Sequence, residues 1–135
     1  MNGVIDMLLQ RDAFSRLLGM EVLEASPGHA VVRMTVRDDM VNGFGTLHGG
    51  ALFSLADSAF AFATNAGGTL SVAIDTTLSI PAASYPGDVL TATAESRSST
   101  NRLEFVDVTV RKHDGSAVGY FRGTVYRTHR SHNPD

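Results

Sequence analysis

The chain has 135 residues, of which 43% are apolar and none is cysteine. This length is enough to bury one hydrophobic core, and the lack of cysteine excludes a thiol nucleophile and a disulfide framework. The net charge of −3 argues against nucleic-acid binding, which needs a basic surface. With no signal-like N-terminus and no apolar run of about 18 residues, we expect one soluble, cytoplasmic domain over residues 1–135, with no membrane partner.

The first third of the chain predicts a helix, a strand pair and a loop. Residues 4–18 have an amphipathic helical pattern that ends at Gly19, typical of a lid or packing helix. Residues 20–25 and 30–36 alternate apolar and polar side chains around a Ser-Pro-Gly turn, which indicates two antiparallel strands. Residues 37–47 are too irregular for a regular element, so we expect a loop that lines a site.

The segment from His48 to Gly68 predicts the longest helix of the chain. Its apolar residues lie on almost every side, so it should be buried and wrapped by the other elements. One narrow polar line interrupts them, with Ala61 leaving a gap in it: Ser54, Asp57, Ser58, Thr64 and Asn65.

The C-terminal half predicts a sheet. Four segments combine alternating patterns with short polar turns and therefore predict antiparallel strands: residues 70–80, 89–96, 103–112 and 117–127. The polar tail over residues 128–135 is predicted to fray.

Asp57 is an unusual residue for the middle of an apolar helix. Desolvating an unpaired carboxylate costs several kcal/mol, and residues 38–96 contain no Lys or Arg that could neutralise it. We therefore expect Asp57 to face a wet cleft.

The start of the same helix suits an oxyanion. Gly49 and Gly50 should leave first-turn N–H groups uncovered, where a polarised carbonyl oxygen can bind. Gly49 and Asp57 are eight residues, or about 12 Å, apart along one helix, too far to act on one carbonyl. Two antiparallel helices across a twofold axis would bring them together and give two sites per dimer.

Other chemistries fit the sequence poorly. The histidines at 29, 48, 113, 129 and 132 lack metal-ligand spacing, and Ser54 and Ser58 lie in a helix without a G-x-S-x-G elbow. His48 remains, either as a hydrogen-bonding structural residue that orients the loop through its ring or, less commonly for a lone His, as a catalyst. Seven of the eleven basic residues lie beyond residue 96, where they could bind a phosphorylated ligand or form a solvated strand face.

Several motifs together resemble the hot-dog-fold acyl-CoA thioesterases of the phenylacetyl-CoA thioesterase type. They are Asn42-Gly43, His48-Gly49-Gly50, Phe53-x-Leu55-Ala56-Asp57-x-Ala59 and Asn65, with further similarity at Gly19-Met20, Gly28-His29-Ala30, Pro86-Gly87-Asp88 and Phe121-Arg122-Gly123. The resemblance implies an α+β hot-dog fold, with a six-stranded antiparallel sheet around a long central helix and, here, an additional N-terminal helix. It also implies sheet-paired homodimers or homotetramers.

The resemblance also implies roles for individual residues. Asp57 becomes the general base or nucleophile and Gly49 the oxyanion donor, while Asn42 positions the attacking water or the carbonyl and His48 shapes the helix start. The residues expected to bind the acyl-CoA are Gly50, Ser54, Ala61, Arg97, Thr100 and Arg102. No metal or cofactor is implied. Where the family often has an acidic residue, an aromatic and an Arg-Pro pair, this chain has Ser-Ile-Pro-Ala-Ala at 79–83.

The predicted function is hydrolysis of phenylacetyl-CoA, a hydroxylated derivative, or a related aryl or medium-chain acyl-CoA, at active sites in the dimer interface. One alternative is a hot-dog enoyl-CoA hydratase, although that chemistry usually pairs Asp with His, and His48 lies nine residues from Asp57. The other is a non-catalytic acyl-CoA sensor. A DNA-binding sensor should carry an added basic helix, whereas the N-terminal helix balances Arg11 and Arg16 with Asp6 and Asp12.

Overall fold

The computed structural model describes residues 2–132 as three helices and six strands. In chain order these are α1 (Gly3–Arg11), α2 (Ala13–Leu17), β1 (Glu21–Ser26), β2 (His29–Thr35), α3 (Gly49–Asn65), β3 (Thr69–Ser79), β4 (Val89–Ser99), β5 (Leu103–Lys112) and β6 (Ala117–Ser131). A short 3₁₀ turn, Asp38–Met40, lies between β2 and α3.

All six strands form one antiparallel sheet in the order β1-β2-β4-β5-β6-β3. Strand β3 follows α3 directly in the chain, yet pairs with β6 at one edge of the sheet. The central helix α3 packs across the sheet, and its inward side chains form the core with alternate residues of the strands. The predicted α+β architecture is thereby confirmed.

Helix α3 comes very close to the sheet at Gly123 of β6. A Cβ atom at this position would lie 2.7 Å from the ring of Phe60, which is 1% exposed. The rings of Phe60 and Phe121 lie 5.4 Å apart in a tilted arrangement. Gly123 therefore gives the Phe60 ring room to rest on the strand.

The helix α3 is less enclosed than its composition predicts. Its sheet side is buried, including Thr64 and Asn65, whereas Ser54, Asp57, Ser58 and Ala61 are half-buried on the other side. This second face carries the first part of the predicted polar line, and the single chain leaves it partly open, whereas Thr64 and Asn65 of the same line are buried.

The N-terminal helix and the C-terminal tail also differ from prediction. Asp12 divides the expected helix into α1 and α2 and caps the second. The prediction that residues 128–135 fray is wrong for residues 128–131, because β6 pairs with β3 as far as Ser131. His132 then donates its backbone N–H to Gly68 at 2.7 Å, and its ring nitrogen lies 2.6 Å from the Asn65 Oδ1. Residues 133–135 lie outside the described residues.

No helix within residues 2–132 is long and apolar enough to cross a membrane.

The contact at Gly123 predicts a marked loss of stability for Gly123→Ala. Because the Phe60 ring is buried and cannot move away freely, overpacking should lower the free energy of unfolding by about 1–3 kcal/mol. Urea denaturation measures this change. Gly43→Ala is the matched control, since a Cβ there meets nothing within 4 Å, and equal stability of the two variants would contradict the packing argument.

Candidate active site

The start of α3 has one capped amide and one free amide. The His48 ring accepts a hydrogen bond at Nδ1 from the Gly50 N–H at 2.8 Å, which makes His48 the N-cap. The expectation that both glycine amides are uncovered is therefore wrong for Gly50. The Gly49 N–H has no acceptor within residues 2–132, and the helix dipole makes it the amide suited to a developing negative charge.

A cavity of about 340 Å³ opens beside Gly49. Polar and apolar side chains share its lining, which consists of Asn42, Thr46, Leu47, Gly49, Leu52 and residues 80–84. The segment 80–84 is held against the helix start, because the Leu47 N–H donates to the Ser84 carbonyl at 2.8 Å. The cavity therefore combines an apolar wall with the free Gly49 amide.

Ser84 is a residue of this cavity that the sequence patterns did not reveal. It is 3% exposed, and its Oγ is the one buried side-chain N or O atom in residues 2–132 without a hydrogen-bond partner. An isolated serine in a loop gives no signal in the sequence, since its burial depends on how residues 80–84 fold over the helix start.

Asn42 organises the loop that forms the other wall. Its Oδ1 accepts from the Phe44 N–H at 2.9 Å and from the Thr46 N–H at 3.3 Å, and its Nδ2 donates to the Thr46 hydroxyl at 3.0 Å. The side chain thus fixes a tight turn and lines the cavity at the same time. Asn42 and Gly49 therefore line the same cavity.

Asp57 lies in the middle of α3 on its half-buried face. Its carboxylate makes no side-chain hydrogen bond within residues 2–132, and it does not line the cavity at Gly49. Burial, and to a smaller extent the negative charge of Asp12, raise the pKa of Asp57 above its ordinary value. A carboxylate of this kind is a stronger base than one in water.

Ser54 and Ala61 flank Asp57 on the same face. The Ser54 hydroxyl donates to the Gly50 carbonyl at 2.7 Å, so its proton is engaged within the helix. Ala61, one turn beyond Asp57, is half-buried and small, and leaves space beside the carboxylate.

Like Gly50, Ser54 and Ala61, the three other predicted substrate-binding residues do not line the cavity at Gly49. Arg97 is 62% exposed and donates to Asp107 at 3.0 Å, on the sheet face that points away from α3. Thr100 accepts from backbone N–H groups of its turn, and Arg102 donates to the Tyr126 hydroxyl at 2.9 Å. In one chain these residues form a surface separate from Asp57 and Gly49.

Many ionisable residues elsewhere contact one another in pairs or in groups of three, such as Asp107 with both Arg97 and Arg122. Residues 2–132 contain no cluster of three His, Asp or Glu side chains that could hold a metal ion. Several of the basic residues after position 96 have partners of their own, such as Arg122 with Asp107 at 2.8 Å and Lys112 with Asp88 at 3.4 Å.

Comparison with known proteins decides the family. A family model described as a domain of unknown function (DUF4442) matches residues 4–126. The acyl-coenzyme A thioesterase PaaI of Escherichia coli K12 is 38% identical over 120 residues, which are 89% of this chain and 86% of that protein. The chain belongs to the hot-dog acyl-CoA thioesterases.

Solved structures of this thioesterase family agree with that assignment. The E. coli PaaI protein from the phenylacetic acid degradation operon matches with a TM-score of 0.92 and 36% identity, over 95% of this chain and 93% of that one. A hypothetical thioesterase from Streptococcus pneumoniae TIGR4, solved with coenzyme A, matches with a TM-score of 0.80 and 26% identity, over 84% and 91% of the chains. The protein is thus an acyl-CoA thioester hydrolase. The alternative prediction of a non-catalytic sensor is therefore rejected.

The raised pKa of Asp57 predicts how Asp57→Asn changes stability. Because the folded-state pKa lies above the unfolded one, the ionised carboxylate destabilises the fold at pH 7, and this cost is relieved as the pH falls through the folded value. The variant should therefore have an equal or higher Tm at pH 7, with a difference that shrinks towards pH 4. Scanning calorimetry across this range tests it, and a clearly lower Tm at pH 7 would mean that the carboxylate satisfies structural donors.

Proposed function

We propose that this thioesterase hydrolyses phenylacetyl-CoA, a hydroxylated derivative, or a related aryl or medium-chain acyl-CoA, at active sites formed between two chains. The observation that carries the proposal is the separation of two unpartnered groups on α3. The free Gly49 amide lines a cavity, whereas the unpaired Asp57 lies on another face of the same helix.

Helix geometry prevents these two groups from sharing one carbonyl within a chain. Eight residues place Asp57 about 12 Å from Gly49 along the axis and about 80° around it. An oxyanion donor must lie about 3 Å from the carbonyl oxygen, and a base must reach the attacking water. The second chain must therefore supply one of the two groups.

The edges of the sheet indicate how two chains pair. Edge strand β3 has eleven residues with one exposed charge, Asp75, beside Val72 and Ile74, which are 44% and 59% exposed. The opposite edge strand, β1, has six residues with two exposed charges, Glu21 and Glu24, around Leu23, which is 45% exposed. A long apolar edge favours pairing with another strand, and charged residues oppose it. Pairing two copies of β3 about a twofold axis also sets the two α3 helices antiparallel, so that Asp57 of one chain approaches Gly49 of the other. Pairs of such dimers would give the homotetramer.

The proposed reaction uses the two groups on opposite sides of the thioester. The Gly49 N–H donates to the carbonyl oxygen while Asp57 takes a proton from water, whose oxygen bonds to the carbonyl carbon. The C–S bond then breaks, and the Asp57 proton passes to the departing coenzyme A sulfur, which leaves a free acid and a thiol. Direct attack by Asp57 is the alternative. A single turnover in H₂¹⁸O tests direct attack, since ¹⁸O in the Asp57 carboxyl group can arise only when water opens a mixed anhydride at the Asp57 carbon.

The cavity at Gly49 supports an acyl group of moderate size. Its apolar lining includes Leu47, Leu52, Ile80 and Pro81, and its volume is about 340 Å³, which accommodates a ring or a medium chain. The relation to PaaI from a phenylacetic acid degradation operon makes phenylacetyl-CoA the first substrate to test. A panel of aryl and aliphatic acyl-CoAs with detection of the released thiol measures the preference, and a preference for long-chain or acetyl groups would contradict this substrate class.

The enoyl-CoA hydratase alternative has no support from the site. The His48 ring is engaged in capping Gly50, and no imidazole makes a hydrogen bond with Asp57 in residues 2–132. Such a hydratase would need that pair to move protons to and from neighbouring carbons.

The Gly49 amide and the Asp57 carboxylate should each be necessary for turnover. Gly49→Pro removes this N–H at the first position of a helix, where proline is readily accepted. The backbone before it is suitable as well, because His48 has φ −61° and ψ 133°, a conformation common in residues that precede proline. We expect kcat to fall by about 10²–10³ for Gly49→Pro and by about 10²–10⁴ for Asp57→Asn. Gly49→Ala is the matched control, because it keeps the N–H and adds a Cβ at an ordinary contact distance, 3.5 Å from Ile80 Cδ1. Near wild-type turnover of a folded Asp57→Asn variant would refute its catalytic role.

Mixing these two inactive variants tests the shared site. A dimer with one Gly49→Pro chain and one Asp57→Asn chain contains one site with both native groups, so refolding an equal mixture should recover about one quarter of the native activity. A site within one chain gives no recovery. Light scattering on the same samples checks the dimer, and an active 14.4 kDa monomer would overturn the arrangement.

The basic residues outside the cavity should contribute to coenzyme A binding. We expect Arg97→Ala and Arg102→Ala to raise KM more than they lower kcat, because phosphate contacts far from the thioester stabilise ground and transition states alike. Arg33→Ala, which removes an exposed ion pair with Glu21, is the control. If KM for the acyl-CoA changes no more than KM for the matching pantetheine thioester, these arginines only form a solvated face.

A further inference from the structure

Another cavity, of about 250 Å³, lies at the C-terminal end of α3, at the opposite end of the helix from Gly49. The turn between β1 and β2 forms one wall, and the last turn of the helix forms another. The polar residues of its lining are Thr64, Thr69, Ser96, Glu104 and Arg127. The hydrolysis proposed above uses none of these residues.

Glu104 is the unusual residue of this cavity. It belongs to the inward-facing set of β5, whose other members are buried valines, and it is 7% exposed. No side chain or backbone N–H within residues 2–132 donates a hydrogen bond to its carboxylate, and no cation there forms a salt bridge with it. A buried carboxylate needs such a partner to offset the loss of hydration, so the folded chain leaves this group ready to bind a donor.

The carboxylate of Glu104 is open to the cavity rather than sealed in the core. Within residues 2–132, the Ser84 Oγ is the one side-chain N or O atom that is both fully enclosed and without a partner. Because Glu104 also has no partner, its oxygens must keep contact with the space of the cavity. Its Oε2 lies at the β1–β2 turn, since a Cβ on Gly28 would be 3.9 Å from this oxygen and 3.2 Å from the Ser96 Cβ. Glu104 and Ser96 therefore share one wall of the cavity.

Arg127 is the one cation among the lining residues that the structure describes, and it does not pair with Glu104. Its guanidinium group donates instead to the Thr100 carbonyl at 3.4 Å. The last carbonyl groups of α3 add partial negative charge at this end of the helix. The surroundings of the Glu104 carboxylate therefore favour a bound cation.

The other polar groups of the lining favour a primary ammonium group over other cations. The side-chain hydroxyls of Thr69 and Ser96 make no hydrogen bond within residues 2–132. Together with Glu104 they offer three acceptors, and a primary ammonium group has three donors. A quaternary ammonium group would need aromatic side chains, and no aromatic residue of the described chain lines the cavity. A metal ion is disfavoured as well, because residues 2–132 contain no group of three His, Asp or Glu side chains that could hold one.

We propose that this cavity is a binding site for a small molecule with a primary ammonium group, which donates to Glu104 and to the hydroxyls of Thr69 and Ser96. The site is independent of the roles proposed for Asp57 and Gly49. A ligand bound here fills the space between the end of α3 and the β1–β2 turn, and stabilises the folded chain because it binds only the folded state.

Titration with ethylammonium chloride, followed by NMR at constant pH and ionic strength, tests the site. The amide resonances of Gly28, Ser96 and Glu104 should shift in a saturable way in the native protein. Tetramethylammonium has the same charge but no N–H donor, and should leave these resonances unchanged. No saturable shift with ethylammonium, or equal shifts with the two cations, would overturn the proposal.

Glu104→Gln assigns the binding to this carboxylate. The change keeps the size of the side chain and removes its charge, so the affinity for ethylammonium should fall by about tenfold or more. Glu21→Gln, which removes an exposed carboxylate from β1, is the matched control and should bind as the native protein does. Thr69→Val removes one of the proposed acceptors and gives a second test if Glu104→Gln does not fold. Native affinity in a folded Glu104→Gln or Thr69→Val variant would contradict the site.

Discussion

The unpaired carboxylate of Asp57 is the constraint on which the rest of the site depends. A half-buried charge without a donor or a cation is costly, and the fold places it on the one face of α3 that the sheet leaves uncovered. If the carboxylate pointed towards the sheet it would be neutral or would disrupt the core. On the open face the same group keeps access to water and, in the proposed dimer, to a second chain, as the role proposed for it as a base requires.

The helix start meets a different requirement of the proposed reaction. A helix has several orphan N–H groups in its first turn, and an oxyanion site needs one of them free without fraying the helix. His48 resolves this conflict by capping Gly50 and leaving Gly49 open. Gly50 suits this cap because a Cβ there would lie 3.0 Å from the His48 ring. The two glycines of one motif therefore have different physical roles.

The sheet matters to the site through the way it holds the helix. Gly123 lets Phe60 rest directly on β6, and the buried Asn65 side chain joins the end of α3 to β3 through Ser71 and to the C-terminal segment through His132. These contacts fix α3 relative to β3, so any pairing of two chains through β3 also fixes the distance between their helices. A rigid link of this kind is what a site shared between subunits requires.

The sequence by itself determined the elements, the family and the groups available for chemistry. Periodicity and turn residues predicted α3 and the strands, because these signals are local, and the absence of Lys and Arg from residues 38–96 already left Asp57 without a nearby cation. The tertiary structure decided that the Gly49 amide is free and that Ser84 is buried. It also decided that β3 lies at the edge of the sheet beside β6, and that residues 128–131 continue β6. Packing of α2 on α3 brings together the hydroxyls of Ser15 and Ser58, which are 43 residues apart in the chain. Hydrogen bonds over such separations depend on how the helices pack on the sheet, which no local pattern of residues encodes.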